Sequence, residues 1–383
     1  MAALPDVTKT TSSTPLRRTR FVCISDTHNC TVKLPRGDVL VHAGDLTNQG
    51  SYSELSRAVQ WLEKADFEAK IVVAGNHDVT LDSDFYAEHG SCFHNQELQN
   101  PSECLSLLTS SPTITYLNHS SATIRLQDLR GPRTTFAVFG SPYSPRIERW
   151  AFGYEAAAAS ESPAESFWSD IPFDTDIVVT HGPPYTHCDE FTSRRLATGC
   201  EDLRQALWRV RPRLAVCGHV HEGRGSERVR WDIDGKSGAA YKEAGVLRWD
   251  DPGAGPGNRK MSLVDLTGRT GGNQPLDNDG SRHQCGFPPG ETAREPPVQI
   301  SGQQLRGTAL PGSGTRGLGG NPEGAGARCD RLALCCRMGR RETCVVNCAV
   351  VATSWPHHGG KRLNKPIVVD IDLPAWDAEV AAE

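Results

Sequence analysis

The chain has 383 residues, with 41 Lys and Arg against 46 Asp and Glu and a formal net charge of −5. That balance leaves no broad basic field of the kind that holds a nucleic-acid backbone, so nucleic acid is not an expected partner. No run of ~18 consecutive apolar residues is present and the start lacks the apolar core of a secretory signal, so no membrane segment is expected and the chain reads as intracellular and cytoplasmic.

Residues 1–19, rich in Ser and Thr, read as a disordered tail. Six short β-branched runs follow, and each stops at a polar cluster. "FVCIS" (21–25) runs into Asp26-Thr27-His28, and "DVLVHAG" (38–44) into Asp45. Next, "SYSELSRAVQWLEKA" (51–65) has Ser51 and Glu54 in capping-box spacing and puts Leu55, Ala58, Val59 and Leu62 on one face, which predicts a helix. "KIVVAG" (70–75) leads to Asn76-His77-Asp78, "TFAVFG" (135–140) to "SPYSP", and "DIVVT" (176–180) to His181-Gly182. A second amphipathic stretch, "CEDLRQALWRVRP" (200–212), carries Leu203, Ala206, Leu207 and Val210 on one stripe and stops at Pro212. The last run, "LAVC" (214–217), enters Gly218-His219-Val220-His221. Continuous apolar runs of this length suit strands buried on both faces, the habit of layered α/β domains.

Beyond Gly223 the composition changes. Residues 251–328 hold 18 Gly and 9 Pro, above the ~25–30% share at which an aperiodic stretch does not pack. We read 20–223 as the main part of one domain, 224–341 as an insertion partly ordered to about 268 and then mostly disordered, 342–374 as closing strands, and 375–383 as a C-terminal tail. The 13 Cys lie largely within apolar runs and read as reduced, small hydrophobes.

In open α/β sheets, chemistry gathers at the carboxyl ends of the strands. Asp26, His28, Asp45, Asn76, His181, His219 and His221 all fall there. In extended backbone, residues two apart point the same way, so Asp26 with His28 and His219 with His221 would each form a two-toothed grip. A mixture of imidazole and oxygen donors without thiolate suits Mn, Fe, Zn, Co or Ni better than Ca or a closed structural zinc site. Seven ligands exceed one tetrahedral ion, but if one carboxylate bridges, two divalent or trivalent transition metal ions each receive four.

These blocks, "DTH", "GD", "GNHD", "H-G" and "GH-V-H" in that order, resemble the signature of the calcineurin-like metallophosphoesterases. "GSPYSP", "THGPP" and "KPIVVDIDLP" are most similar to the branch that includes the brain metallophosphoesterase-domain-containing proteins. The resemblance implies a layered β-sandwich flanked by helices, here interrupted by the long Gly/Pro-rich insertion. It implies a first metal held by Asp26, His28, Asp45 and His221, and a second held by Asp45, Asn76, His181 and His219. Some members of the branch carry Gly where this chain has His219, so both positions are expected to be competent here. By the same resemblance His77 stands beside the leaving-group oxygen, oriented by Asp78, and a metal-bridging hydroxide attacks phosphorus. The expected substrate is a phosphodiester or small phosphorylated metabolite, since "GDLTNQG" and "GNHD" depart from the arginine-bearing pattern of the protein phosphatases. The alternative is a metal-bearing nucleotide-binding or scaffold protein with little turnover, engaging a partner through the insertion.

Weaker signals have plainer readings. His42 reads as a buried, hydrogen-bonded histidine. His187 and Asp189 line either a substrate entrance or a surface loop, and Trp150 and Phe152 form either an aromatic wall or core packing. Cys329, Cys335, Cys336, Cys344 and Cys348 lack zinc-knuckle spacing, and Arg337, Arg340 and Arg341 read as a solvated basic run.

Overall fold

A computed structural model describes residues 15–146, 149–155, 167–191, 196–233, 241–269, 274–278, 339–353 and 360–376. In chain order the first elements are β1 (Leu16–Ile24), β2 (Val39–Ala43), α1 (Tyr52–Lys64), β3 (Ala69–Val73), α2 (Ser83–Phe93), α3 (Pro101–Thr109), β4 (Ile114–Tyr116), β5 (Ser120–Arg125) and β6 (Thr135–Ser141). Two minor pairs, β7 (Ser144–Pro145) with β8 (Gly153–Tyr154) and β10 (Glu190–Phe191) with β11 (Leu196–Ala197), flank β9 (Ile177–Thr180). The remainder is α4 (Glu201–Val210), β12 (Leu214–Cys217), β13 (Gly225–Trp231), β14 (Glu243–Arg248), β15 (Ser262–Asp265), β16 (Glu342–Asn347) and β17 (Ile367–Pro374).

The main strands form two sheets. One has the order β15-β17-β1-β2-β3-β4 and the other β14-β13-β16-β12-β9-β6-β5. Phe21 and Cys23 of β1 pack between the sheets against Val179 and Val216, while Val22 and Ile24 pack outward against Leu55, Val59 and Leu62 of α1. On the other side, Val178 and Ala215 pack outward against Leu203 and Leu207 of α4. The central strands of both sheets are therefore covered on both faces, which is why they read as unbroken apolar runs rather than alternating ones. The α/β layered sandwich expected from the sequence is the architecture observed.

The helices form where the patterning places them. Ser51 caps α1 with both halves of the capping box made, and Leu55, Val59 and Leu62 are buried. The stripe Leu203, Ala206, Leu207 and Val210 of α4 is buried, and the helix ends at Arg211, whose left-handed φ of 49° precedes Pro212. No helix among the described residues is long and apolar enough to cross a membrane.

Residues 224–269 supply β13, β14 and β15, which pair directly with the sheets: β13 lies against β16, and β15 against β17. The two closing strands divide between the sheets, β16 beside β12 and β17 between β15 and β1. β1 begins at Leu16, inside the stretch read as tail, because eight of its residues pair with β17. The rest of that tail, most of the Gly/Pro-rich stretch and residues 377–383 lie outside the described residues. Arg340 is not solvated: it is buried and bonds the Thr175 carbonyl and the Asp176 carboxylate, both at 2.7 Å. Cys344 and Cys348 are buried in the inter-sheet core.

Candidate metal centre

The carboxyl ends of the parallel strands β1, β2 and β3 in one sheet meet those of β9, β12 and β16 in the other. Beyond those ends the backbone turns sharply. Asp26, His28, Asp45 and His219 have φ of 53°, 43°, 54° and 66°. Left-handed backbone at a residue with a Cβ costs about 1–3 kcal/mol and persists only where surrounding contacts fix it. The side chains meet because of these turns, so the expected extended-backbone grip of residues two apart is not the geometry present. His221 likewise begins a short 3-10 turn rather than continuing a strand. Two glycines make the approach feasible: a Cβ on Gly75 would sit on the Asp45 carboxylate, and one on Gly218 would collide with Ser25 and Asp26.

Three groups of three have ligand atoms within 4.8 Å of one another: Asp26, His28 and His221; His28, Asp45 and His77; and Asp26, Asp45 and His181. Asn76 joins them through Oδ1, 2.9 Å from His181 Nε2. His219 stands beside them, its ring 4.9 Å from that of His181 and its backbone N–H donating to the Asp26 carboxylate at 2.9 Å. All seven expected ligands thus surround one pocket, although His219 belongs to none of the three groups.

The imidazoles are pre-set. Nδ1 of His28, His181 and His221 faces the carbonyls of Thr47, Ala43 and Thr353 at 3.1, 2.9 and 3.3 Å. A carbonyl only accepts, so Nδ1 carries a proton and Nε2 is the atom turned inward. Those Nε2 atoms meet oxygens and each other: His221 to Asp26 at 3.3 Å, His28 and His181 to Asp45 at 3.6 and 3.5 Å, and His28 to His221 at 3.4 Å. Imidazole nitrogens, two carboxylates and an amide oxygen gathered this closely, with no thiolate among them, form a donor set that fits a transition metal.

The electrostatics divide the rings in two. Burial lowers His28 and His219 to about 4, favouring the neutral, ligating form. Burial also opposes charge on His181, but the Asp45 carboxylate outweighs it and raises the imidazole to about 9. His221 is raised too, its burial overcome by the hydrogen bond to Asp26. Burial would raise Asp26 and Asp45, yet neighbouring histidines hold both well below the usual carboxylate range: His221 foremost for Asp26, and His181 and His77 for Asp45. Without metal, the pocket is an anionic cluster drawing positive charge onto its own rings.

His77 and Asp78 part company. His77 Nδ1 faces the Asn48 carbonyl at 2.9 Å, and its ring lies against Trp150, with centroids 4.0 Å apart and planes at 35°. Asp78 does not orient it. The Asp78 carboxyl turns into the core, where it accepts from the N–H groups of Leu46, Thr47 and Gly75 and from the Thr47 hydroxyl. It fastens the loop after β2 to the loop after β3, and burial pushes it up to about 6, with the Asp45 charge adding.

The weaker signals also resolve. His42 is buried, with Nε2 2.9 Å from the Thr27 hydroxyl. Phe152 is buried in the core and Trp150 packs against the same cluster, with its ring also on His77. His187 lines no entrance: it is wholly buried between Glu227 and Glu243, at 2.9 and 2.8 Å. Asp189 is buried as well, accepting from Thr186 and Gly199. Both glutamates lie 40 or more residues away in sequence, so nothing local announced the cluster. Sequence reasoning missed Asn347 at the end of β16, although a polar residue closing the apolar run "CVVN" repeats the layout of the ligand-bearing strands.

Comparison with known proteins follows the same residues. The matched region is 40% identical over 232 residues to a protein from Emericella nidulans named "Probable rhamnogalacturonate lyase C", covering 60% of this chain and 20% of that one. It is 37% identical over 217 residues to metallophosphoesterase domain-containing protein 1 of Homo sapiens, covering 54% of this chain and 62% of that one, and the Mus musculus protein matches equally. The match thus spans a fifth of the first relative and less than two thirds of the second. Among solved structures, purple acid phosphatase PPD1 from yellow lupin is 14% identical with a TM-score of 0.30, over 56% of this chain and 39% of that one. The protein TT1561 of Thermus thermophilus is 13% identical with a TM-score of 0.33, over 56% and 84%. Residues 19–223, within which every one of the seven pocket residues falls, match the model of the calcineurin-like phosphoesterases, and the chain belongs to that family.

Proposed function

We propose that this chain hydrolyses phosphate esters, a phosphodiester or a small phosphorylated metabolite, using two divalent or trivalent transition metal ions. The observation that carries this reading is the set of Nε2 atoms turned inward against the Asp26 and Asp45 carboxylates. Asp26, His28, Asp45 and His221 would hold one ion, and Asp45, Asn76, His181 and His219 the other, with Asp45 shared. Ions bound there would polarise the phosphoryl oxygens and supply hydroxide near neutral pH.

The chain's own residues do the rest. With Nδ1 fixed on the Asn48 carbonyl, His77 keeps Nε2 to hold a proton beside the departing oxygen and release it as the ester bond breaks. Trp150 limits the rotation of that ring. Asn76 offers an amide oxygen, which ligates without adding negative charge to a pocket that already holds two carboxylates. Asp78 keeps the loops carrying Asp45 and Asn76 in register.

A panel of para-nitrophenyl mono- and diesters, assayed with Mn(II) and after chelation, tests the reading. Metal-dependent release of nitrophenol from at least one ester is expected. Absence of such release from every ester would leave a binding protein in its place.

A further inference from the structure

We infer that Asn347 is a positioning residue for the histidine-bearing turn Gly218–His221, an assignment that rests on the metal-ligand reading of His219 and His221. Asn347 lies in β16, outside residues 19–223 that match the family model. Its side chain is wholly buried.

The turn is a strained one. Val220 N–H donates to the Gly218 carbonyl at 2.7 Å, closing three residues about His219, whose φ is 66°. A three-residue turn with a positive central φ is rare, and nothing in the sequence Gly-His-Val-His favours it. The contacts that impose it come from elsewhere. The Asn347 amide donates to the Gly218 carbonyl at 3.3 Å and the Val220 carbonyl at 2.9 Å, the two carbonyls flanking His219. It also reaches the Cys188 carbonyl at 3.0 Å, while its Oδ1 accepts from Ala349 N–H at 3.1 Å. Three acceptors on one side and a donor on the other fix which way the amide points. From the opposite side, the Asp26 carboxylate takes the His219 N–H. The turn is thus gripped through both carbonyls and the central N–H, and His219 and His221 project from it into the pocket. Groups that orient ligands in this way change metal affinity by about 10- to 100-fold when removed.

The fold supplies its own control. Asn278 is equally buried and donates its amide to three carbonyls, those of Arg211, Pro212 and Glu342. It does so at the opposite end of β12 and β16, away from the histidine turn.

The test is calorimetric titration of Mn(II) into the whole chain as wild type, Asn347→Ala, Asn347→Ser and Asn278→Ala, with the visible spectrum of each Co(II)-loaded protein. Asn347→Ala should bind Mn(II) about 10- to 100-fold more weakly and shift the Co(II) bands. Asn278→Ala should melt lower yet titrate and absorb like wild type. Asn347→Ser, which keeps one donor, should fall between, and it carries the test if the alanine variant does not fold. Equal Mn(II) affinity and unchanged Co(II) bands in the Asn347 variants would overturn the assignment. A wild type that binds neither ion would instead overturn the ligand reading on which it stands.

Discussion

His77 and Asp78 are neighbours in sequence with opposite surroundings, and that contrast yields separate predictions. His77 faces the pocket mouth, so His77→Ala should lower kcat by about 10²- to 10⁴-fold while elemental analysis finds metal content unchanged. Wild-type turnover would remove it from the mechanism. Asp45 faces Nε2 of both His28 and His181, so Asp45→Asn should strip metal. Two ions retained in that variant would refute a shared carboxylate. Away from the pocket, Glu243 is gripped by His187 and Arg204. Burial would raise this carboxyl, but those hydrogen bonds outweigh it and hold it at about 2 against an ordinary 4.5. A lowered carboxylate stabilises the fold fully above its ordinary value and loses that contribution as the pH falls toward its folded value. Glu243→Gln should therefore cost about 3–5 kcal/mol at pH 7, with the gap from wild type narrowing between pH 4.5 and 2. Urea unfolding at about pH 7 and about pH 3 measures it, and a gap independent of pH would sink the argument.

At the level of single elements, what the sequence disclosed depended on how local the cause was. The capping box of α1 is a contact between residues three apart, and it is present in full. Ser51→Ala should therefore lower stability by about 1 kcal/mol, read from thermal melting, and leave turnover untouched. The residues that gather at the pocket were legible too, because a polar cluster closing an apolar strand is visible in one dimension. The way they meet was not. The left-handed backbone at Asp26, His28, Asp45 and His219 is imposed by partners far along the chain, such as the Gly44 carbonyl on Asp26 and the Asp26 carboxylate on His219. The same blindness hid His187, Asp78 and Asn347, whose partners are carbonyls, amides and glutamates that carry no motif.

For the whole molecule, the layered fold followed from apolar runs that need cover on both faces, and the two sheets with flanking helices provide it. Harder to foresee was where the chain re-enters the sheets. Residues 224 to about 268 read as the partly ordered part of an insertion, and three strands between 225 and 265 join the two sheets, pairing with β16, β17 and one another. The described ends of the Gly/Pro-rich stretch also meet, since Asn278 bridges Arg340. Replacing residues 280–338 by a short Gly/Ser linker should therefore preserve cooperative melting, and the shorter connection should add about 2 kcal/mol at most. Loss of the melting transition in that variant would show that the excised residues hold the fold.

The placing of β16 and β17 orders events during synthesis. Every residue proposed to touch metal has been added to the chain by position 221, but β1 has no partner on one flank until β17 is made, and β12 has none on one flank until β16 is. For some hundred and fifty residues of translation the nascent polypeptide carries these side chains on unfinished sheets. Both sheets are complete only once the last strand has been added.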